Sequence, residues 1–116
     1  MKLWVDDVKN PIEFEQLFGE WPEGEWVWVK NAERARLILE KGTVAVLALD
    51  NDLGYLSDMD GRNLAHWLLD KVLDGMKPPK IMRCISYNPV AEREIEATFG
   101  DIRDVESGGR ANGNSG

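Results

Sequence analysis

Residues 43–50, TVAVLALD, limit the possible fold more than any other stretch of the chain. The run is almost continuously apolar and lacks the alternation of a strand with one wet face, so both of its faces must be covered. A strand of that kind belongs inside a parallel sheet with helices packed on either side. It then stops abruptly at Asp50-Asn51-Asp52, where carboxylates emerge from the greasiest part of the chain.

The rest of the sequence alternates in the way such a sheet requires. KLWV (2–5) and EWVWVK (25–30) read as strands, and PPKIMRCIS (78–86) reads as an apolar strand after a Pro-Pro break. Between them lie helical stretches. NPIEFEQLFGEW opens with an Asn-Pro start and stops at Gly19, and NAERARLILEKG (31–42) runs from an Asn cap to Gly42. DGRNLAHWLLDKVLDG (60–75) places Leu64, Trp67, Leu68 and Val72 on one stripe, and NPVAEREIEATFG (88–100) again begins Asn-Pro and ends at Gly. DIRDVE (101–106) is expected to form a short fifth edge strand. The order β-α-β-α-β-α-β-α-β predicts one α/β domain over residues 1–106, with right-handed crossovers and helices on both faces. The remainder, 107–116, is Gly/Asn-rich and is expected to be a flexible tail.

Composition excludes several functions. A formal net charge of −7 opposes binding to a long nucleic-acid duplex, which needs a basic surface. No apolar run approaches the roughly 20 residues that span a bilayer. The N-terminal MKLWVDDVKN lacks the apolar core of a signal peptide, and the single Cys84 cannot form an internal disulfide, so a cytoplasmic location is expected.

Ligands of open parallel sheets bind at the carboxyl ends of the strands. Here those ends carry Asp6-Asp7, Asp50-Asn51-Asp52 and Ser86-Tyr87-Asn88. With the first, third and fourth strands adjacent, Asp6, Asp7, Asp50, Asp52, Ser86 and Asn88 are brought into one crevice. Four carboxylates at such spacing repel unless a cation neutralises them, and hard oxygen donors suit Mg²⁺, Mn²⁺ or Ca²⁺. The Ser86 hydroxyl, the Asn88 amide and free N–H groups at the start of the last helix would then hold phosphate oxygens. Each aspartate taken alone also fits a plain turn or helix cap.

LWVDD, LALDNDLG and ISYNP together resemble the motifs of the cyclic-phosphate processing receiver domain family, small receiver-like proteins of bacteria and phages. That family's pattern runs L-[WF]-[LV]-D-D, then S-L-D-H-D-L-G, then H-S-x-N-P, and its motifs fall in order over roughly residues 2 to 99 here. The resemblance implies a flavodoxin-like, receiver-like fold with sheet order 2-1-3-4-5. It also implies a metal-assisted pocket, with Mg²⁺ or Mn²⁺ on Asp6, Asp7, Asp50 and Asp52, that binds or hydrolyses the cyclic phosphate of an RNA end or a nucleotide. On that reading Asp50, Asp52 and Ser86 are the catalytic candidates, and Ser86, Asn88 and Arg62 the phosphate contacts. This chain departs from the pattern twice, carrying Asn51 and Ile85 where the family usually has His. A non-catalytic, nucleotide-sequestering or protein-interaction module is the alternative. A phosphoaspartate receiver is another, although DIRDVESGG offers no lysine at the end of a fifth strand, only Arg103.

Among the remaining residues, His66 is read as a surface position on a helix and Cys84 as an inert core thiol. Trp4 and Trp67 are assigned to the core. Trp26 and Trp28 share one face of the second strand and suit core packing, a homodimer contact or a base-stacking platform.

Overall fold

The computed structural model describes residues 1–108. Four short strands, β1 (Lys2–Val5), β2 (Trp26–Val29), β3 (Val46–Leu49) and β4 (Ile81–Cys84), pair in parallel in the order β2-β1-β3-β4. Every residue of β1 and β3 is buried, as central strands covered on both sides must be. The connections are α1 (Pro11–Phe14) running into a 3-10 helix (Glu15–Phe18), then α2 (Ala32–Leu39) and α3 (Gly61–Leu73), with α4 (Pro89–Glu106) closing the chain. The Asn residues assigned as caps do cap: Asn10, Asn31 and Asn88 each accept first-turn N–H groups.

The two faces of the sheet are filled differently. Leu3, Val5, Leu47, Leu49, Met82 and Cys84 point into an aliphatic core shared with α2, α3 and α4. On the opposite face Trp4, Ala48 and Ile85 are covered by Phe14, Phe18, Trp21, Trp26 and Trp28, so the short α1 segment is supplemented by aromatic bulk. Trp4 makes edge-on contacts with Trp26 at 5.1 Å and with Trp21 at 6.1 Å between centroids.

The expected fifth strand is not formed, and among the described residues the sheet has four strands rather than five. Residues 101–106 instead continue α4. The helical spacing Ile95, Phe99, Ile102 carries the buried stripe straight through Gly100, which costs a helix about 1 kcal/mol and does not stop it. The glycine that ends the helix is Gly108, at φ +81° after the Ser107 cap.

Side chains from α4 take the place of a fifth strand along the outer edge of β4. The Cys84 N–H donates to the Glu96 carboxylate at 2.7 Å, and the Arg103 guanidinium donates to the Met82 carbonyl at 2.8 Å. Both satisfy backbone groups that would otherwise invite another strand. Among the described residues no helix is long and apolar enough to cross a membrane. Of the expected tail, only Ser107 and Gly108 fall within the described residues.

Candidate functional site

Parallel register fixes what meets at the carboxyl edge. Val5 lies opposite Leu49, and Leu49 opposite Cys84, so the next residues along, Asp6, Asp50 and Ile85, stand in one row. Backbone bonds continue one step past the strands to hold that row: Asp6 N–H to Val29 O at 3.1 Å, Asp50 N–H to Val5 O at 2.9 Å, and Ile85 N–H to Leu49 O at 2.9 Å. Asp6, Asp7 and Asp50 each offer a carboxylate oxygen, and the three oxygens lie within 4.8 Å of one another.

Asp6 is fully buried. Its Oδ1 accepts the Val8 and Lys9 amide N–H groups at 2.8 and 2.9 Å, folding the β1–α1 loop over it. Its Oδ2 accepts no hydrogen bond of good geometry. What faces Oδ2 is the Lys9 ammonium, 2.8 Å away, which also stands 3.5 Å from Asp50 Oδ2. Two indoles from the aromatic face tie this loop down, Trp28 donating to the Asp6 carbonyl at 2.7 Å and Trp4 to the Lys9 carbonyl at 2.9 Å.

Lys9 is the residue that motif reasoning passes over. The receiver reading looks for its cation at the end of a fifth strand, whereas this chain supplies one from the first loop. The signal was present in DDVKNP, a lysine three residues after a strand-end aspartate.

Burial dominates the electrostatics of Asp50. Desolvation first, and then the Asp6 charge, push the Asp50 carboxyl up to about 6 despite the neighbouring Lys9. Ile85, fully buried, occupies the row position beside Asp50 and gives it an apolar neighbour where the family usually has an imidazole. The Lys9 ammonium is held above its ordinary range, its burial outweighed by its close approach to the Asp6 carboxylate and by the charge of Asp50. Asp7 is raised by partial burial, then by Asp52 and Asp6.

The β3–α3 loop contributes differently from expectation. Asp52 is exposed and its Oδ1 accepts the Gly54 N–H at 3.0 Å, a local turn outside the three-carboxylate group. Gly54, at φ +76°, lets the loop lie against Asp7; a Cβ there would stand 2.8 Å from Asp7 Oδ2. Asn51 turns away from the carboxylates. Its Oδ1 accepts the Arg62 N–H at 3.3 Å, and its carbonyl accepts the Gly61 N–H at 2.8 Å, which pins the start of α3 beneath Asp50. That approach demands glycine, since a Cβ on Gly61 would come 2.0 Å from the Asp50 carbonyl.

The Arg62 guanidinium is engaged by Asp60 at 3.4 Å and Glu94 at 3.8 Å. Ser86 is buried at the same edge, where its Oγ accepts the Asn88 N–H at 3.1 Å. Asn88 Oδ1 caps the Val90 and Ala91 N–H groups at 3.0 and 3.2 Å. These two N–H groups are therefore already satisfied, contrary to the expectation of free donors for phosphate. His66 is exposed on α3 and takes no part in the carboxylate group. Cys84 is buried, and burial pushes its thiol up to about 12, the behaviour of an inert core cysteine.

The comparison with curated proteins and that with solved structures each give no match. The family model described as "Cyclic-phosphate processing Receiver domain" matches residues 1–101. That span takes in all four strands and the whole carboxylate row, and the chain belongs to the cyclic-phosphate processing receiver domain family.

Proposed function

We propose that the crevice binds a phosphate-bearing ligand, the cyclic phosphate of an RNA end or a nucleotide, with Mg²⁺ or Mn²⁺ as its cofactor. The observation that carries this reading is the convergence of three carboxylates within 4.8 Å around a buried oxygen, Asp6 Oδ2, that lacks a well-formed hydrogen bond. Hard oxygen donors of this kind fit Mg²⁺ or Mn²⁺, and Asp6, Asp7 and Asp50 would hold the ion, with Asp52 nearby at the rim. Such an ion neutralises phosphate charge and acidifies water.

Hydrolysis of a cyclic phosphate needs a water oxygen to attack phosphorus, one ring P–O bond to break, and the released oxygen to take up a proton. Neither family histidine is present to move that proton. With Asp50 ionised as one of the residues that would hold the ion, the released oxygen would take its proton from solvent water. Ser86 and Asn88 stand at the neighbouring strand end as phosphate contacts, and Arg62 is a third candidate once released from Glu94.

Thermal unfolding tests this. Mg²⁺ or Mn²⁺ is expected to raise Tm by several degrees, 2′,3′-cyclic AMP to raise it further, and Asp50→Ala to abolish both shifts. No shift with either ion, or an unaltered one in Asp50→Ala, sinks the reading.

The Lys9 ammonium supports a second reading, in which the chain's own cation does the neutralising and the crevice sequesters phosphate without turnover. Ligand shifts that persist in EDTA, with no acyclic product, select that alternative.

A further inference from the structure

The two edges of the sheet are finished differently. Along β4, the Cys84 N–H and the Met82 carbonyl are taken up by Glu96 and Arg103 of α4. Along β2, the Val29 carbonyl accepts the Asp6 N–H, so Val27 and Val29 turn their backbone groups toward β1. Trp26 and Trp28 therefore turn theirs outward, and among the described residues no group bonds to their backbone on that side. The strand holds no proline, no charge and no bulge, the devices that blunt an open edge. Val27 is 38% exposed there.

A cleft of about 470 Å³ lies against this edge, lined by Pro11, Ile12, Glu15, Glu25, Trp26 and Trp28 among others. Ile12 is 83% exposed. The lining includes two carboxylates and no lysine or arginine, so its complement is an apolar strand that carries a cation. The chain itself supplies that complement, because Lys30 directly follows β2. Lys30 Nζ lies 4.8 Å from the centroid of the Trp28 ring, which places its side chain on the same face as the tryptophans.

Two copies of β2 set antiparallel can form hydrogen-bonded pairs only between even-numbered residues, since those face outward in both. With Trp28 on the two-fold axis, it pairs with its own copy, and Lys30 of each chain falls opposite Trp26 of the other. The ammonium then meets an indole face and the Glu15 and Glu25 carboxylates, twice by symmetry. We infer that the outer edge of β2 is a homodimer interface, where two sheets join antiparallel and each chain lodges Lys30 in the other's acidic cleft. The phosphate reading above is not needed for it.

Sedimentation equilibrium of the full chain in EDTA tests the interface, with a species of twice 13.1 kDa expected. Val27→Glu and Lys30→Glu should each raise the dimer dissociation constant about tenfold or more, whereas Leu73→Glu, at an exposed apolar residue of α3, should leave it unchanged. If Val27→Glu disturbs the strand, as far-UV circular dichroism would show, Lys30→Glu at its exposed position keeps the test decisive. Glu25→Lys alone should weaken the dimer as well. An equimolar mixture of Lys30→Glu and Glu25→Lys should restore it, because both junctions then join opposite charges again. A monomer at every concentration, a dimer that Lys30→Glu leaves intact, or a mixture that stays dissociated overturns the inference.

Discussion

Asp6 and Asp50 meet Asp7 in one crevice with Asp52 exposed at its rim, but the inner and the outer pair are treated in opposite ways. The inner pair is buried and meets a lysine from the chain's own first loop, 2.8 Å from Asp6 and 3.5 Å from Asp50. The outer pair makes no ion pair among the described residues; Asp52 is exposed, and its charge helps to hold the Asp7 carboxyl above its ordinary value. An inner charge problem is thus solved within the fold, while an outer one is left to whatever arrives from solution. The contrast explains how four acids can sit close together in a folded domain, two of them compensated from within and two facing water.

The largest test is to remove the internal solution. Lys9→Met leaves Asp6 fully buried with no counter-charge, and breaking a buried pair by deleting one partner costs about 3–5 kcal/mol. Urea unfolding in EDTA should show that loss, and millimolar Mg²⁺ should restore part of it by replacing the ammonium. A variant as stable as the parent in EDTA would show that the inner pair does not depend on Lys9.

Next in size is Gly61→Ala. The added methyl meets the Asp50 carbonyl at 2.0 Å and cannot be absorbed by a side-chain rotation, since the obstacle is backbone. A loss of about 3 kcal/mol is expected, read by the urea midpoint. Any metal-induced Tm shift should fall with it, because the same clash displaces Asp50.

Why the inner half was illegible in the sequence follows from this contrast. Strand-end acids announce themselves, since apolar runs such as LWV and VLAL stop at them, and parallel order then predicts their meeting. An ion pair formed by a loop lysine depends on how DDVK curls, and that curl is held by Asp6 Oδ1 accepting the Val8 and Lys9 N–H groups and by the Trp4 and Trp28 indoles donating to the loop's carbonyls. Periodicity carries no record of such side-chain bonds. The missing fifth strand has a different cause. In DIRDVE, Ile102 and Val105 suit a short strand and a last helical turn about equally, and Gly100 suggested a helix stop. Packing decided, because Ile102 continues the stripe of Ile95 and Phe99, and Glu96 and Arg103 already occupy the edge the strand would have needed.

A third test reads the inner half by pH. Burial lets folded Asp50 keep its proton up to about pH 6, whereas the ordinary carboxyl value is 3.8. The folded state therefore binds more protons between those values, and the Asp50 contribution to stability falls as pH rises across that window. Asp50→Asn, which cannot ionise, should be more stable than the parent by about 1–3 kcal/mol at pH 7.5, with the gap closing below pH 4. An unchanging difference across that range would mean that Asp50 is not held protonated by its surroundings.

The smallest effect on stability, and the sharpest on binding, belongs to the outer half. Asp7 is partly open to water, so Asp7→Asn should change unfolding free energy by no more than about 0.5 kcal/mol in EDTA. If the outer carboxylates are what an incoming cation meets, the same substitution should remove most of the Mg²⁺-induced Tm shift. The two readouts then separate completely: Lys9→Met moves stability and gains from metal, whereas Asp7→Asn spares stability and loses the response to metal. Equal responses from the two variants would erase the division between an internally compensated half and an open one. The opposite result would place the cation between Asp6 and Asp50, and would require the lysine to leave before the ion can enter.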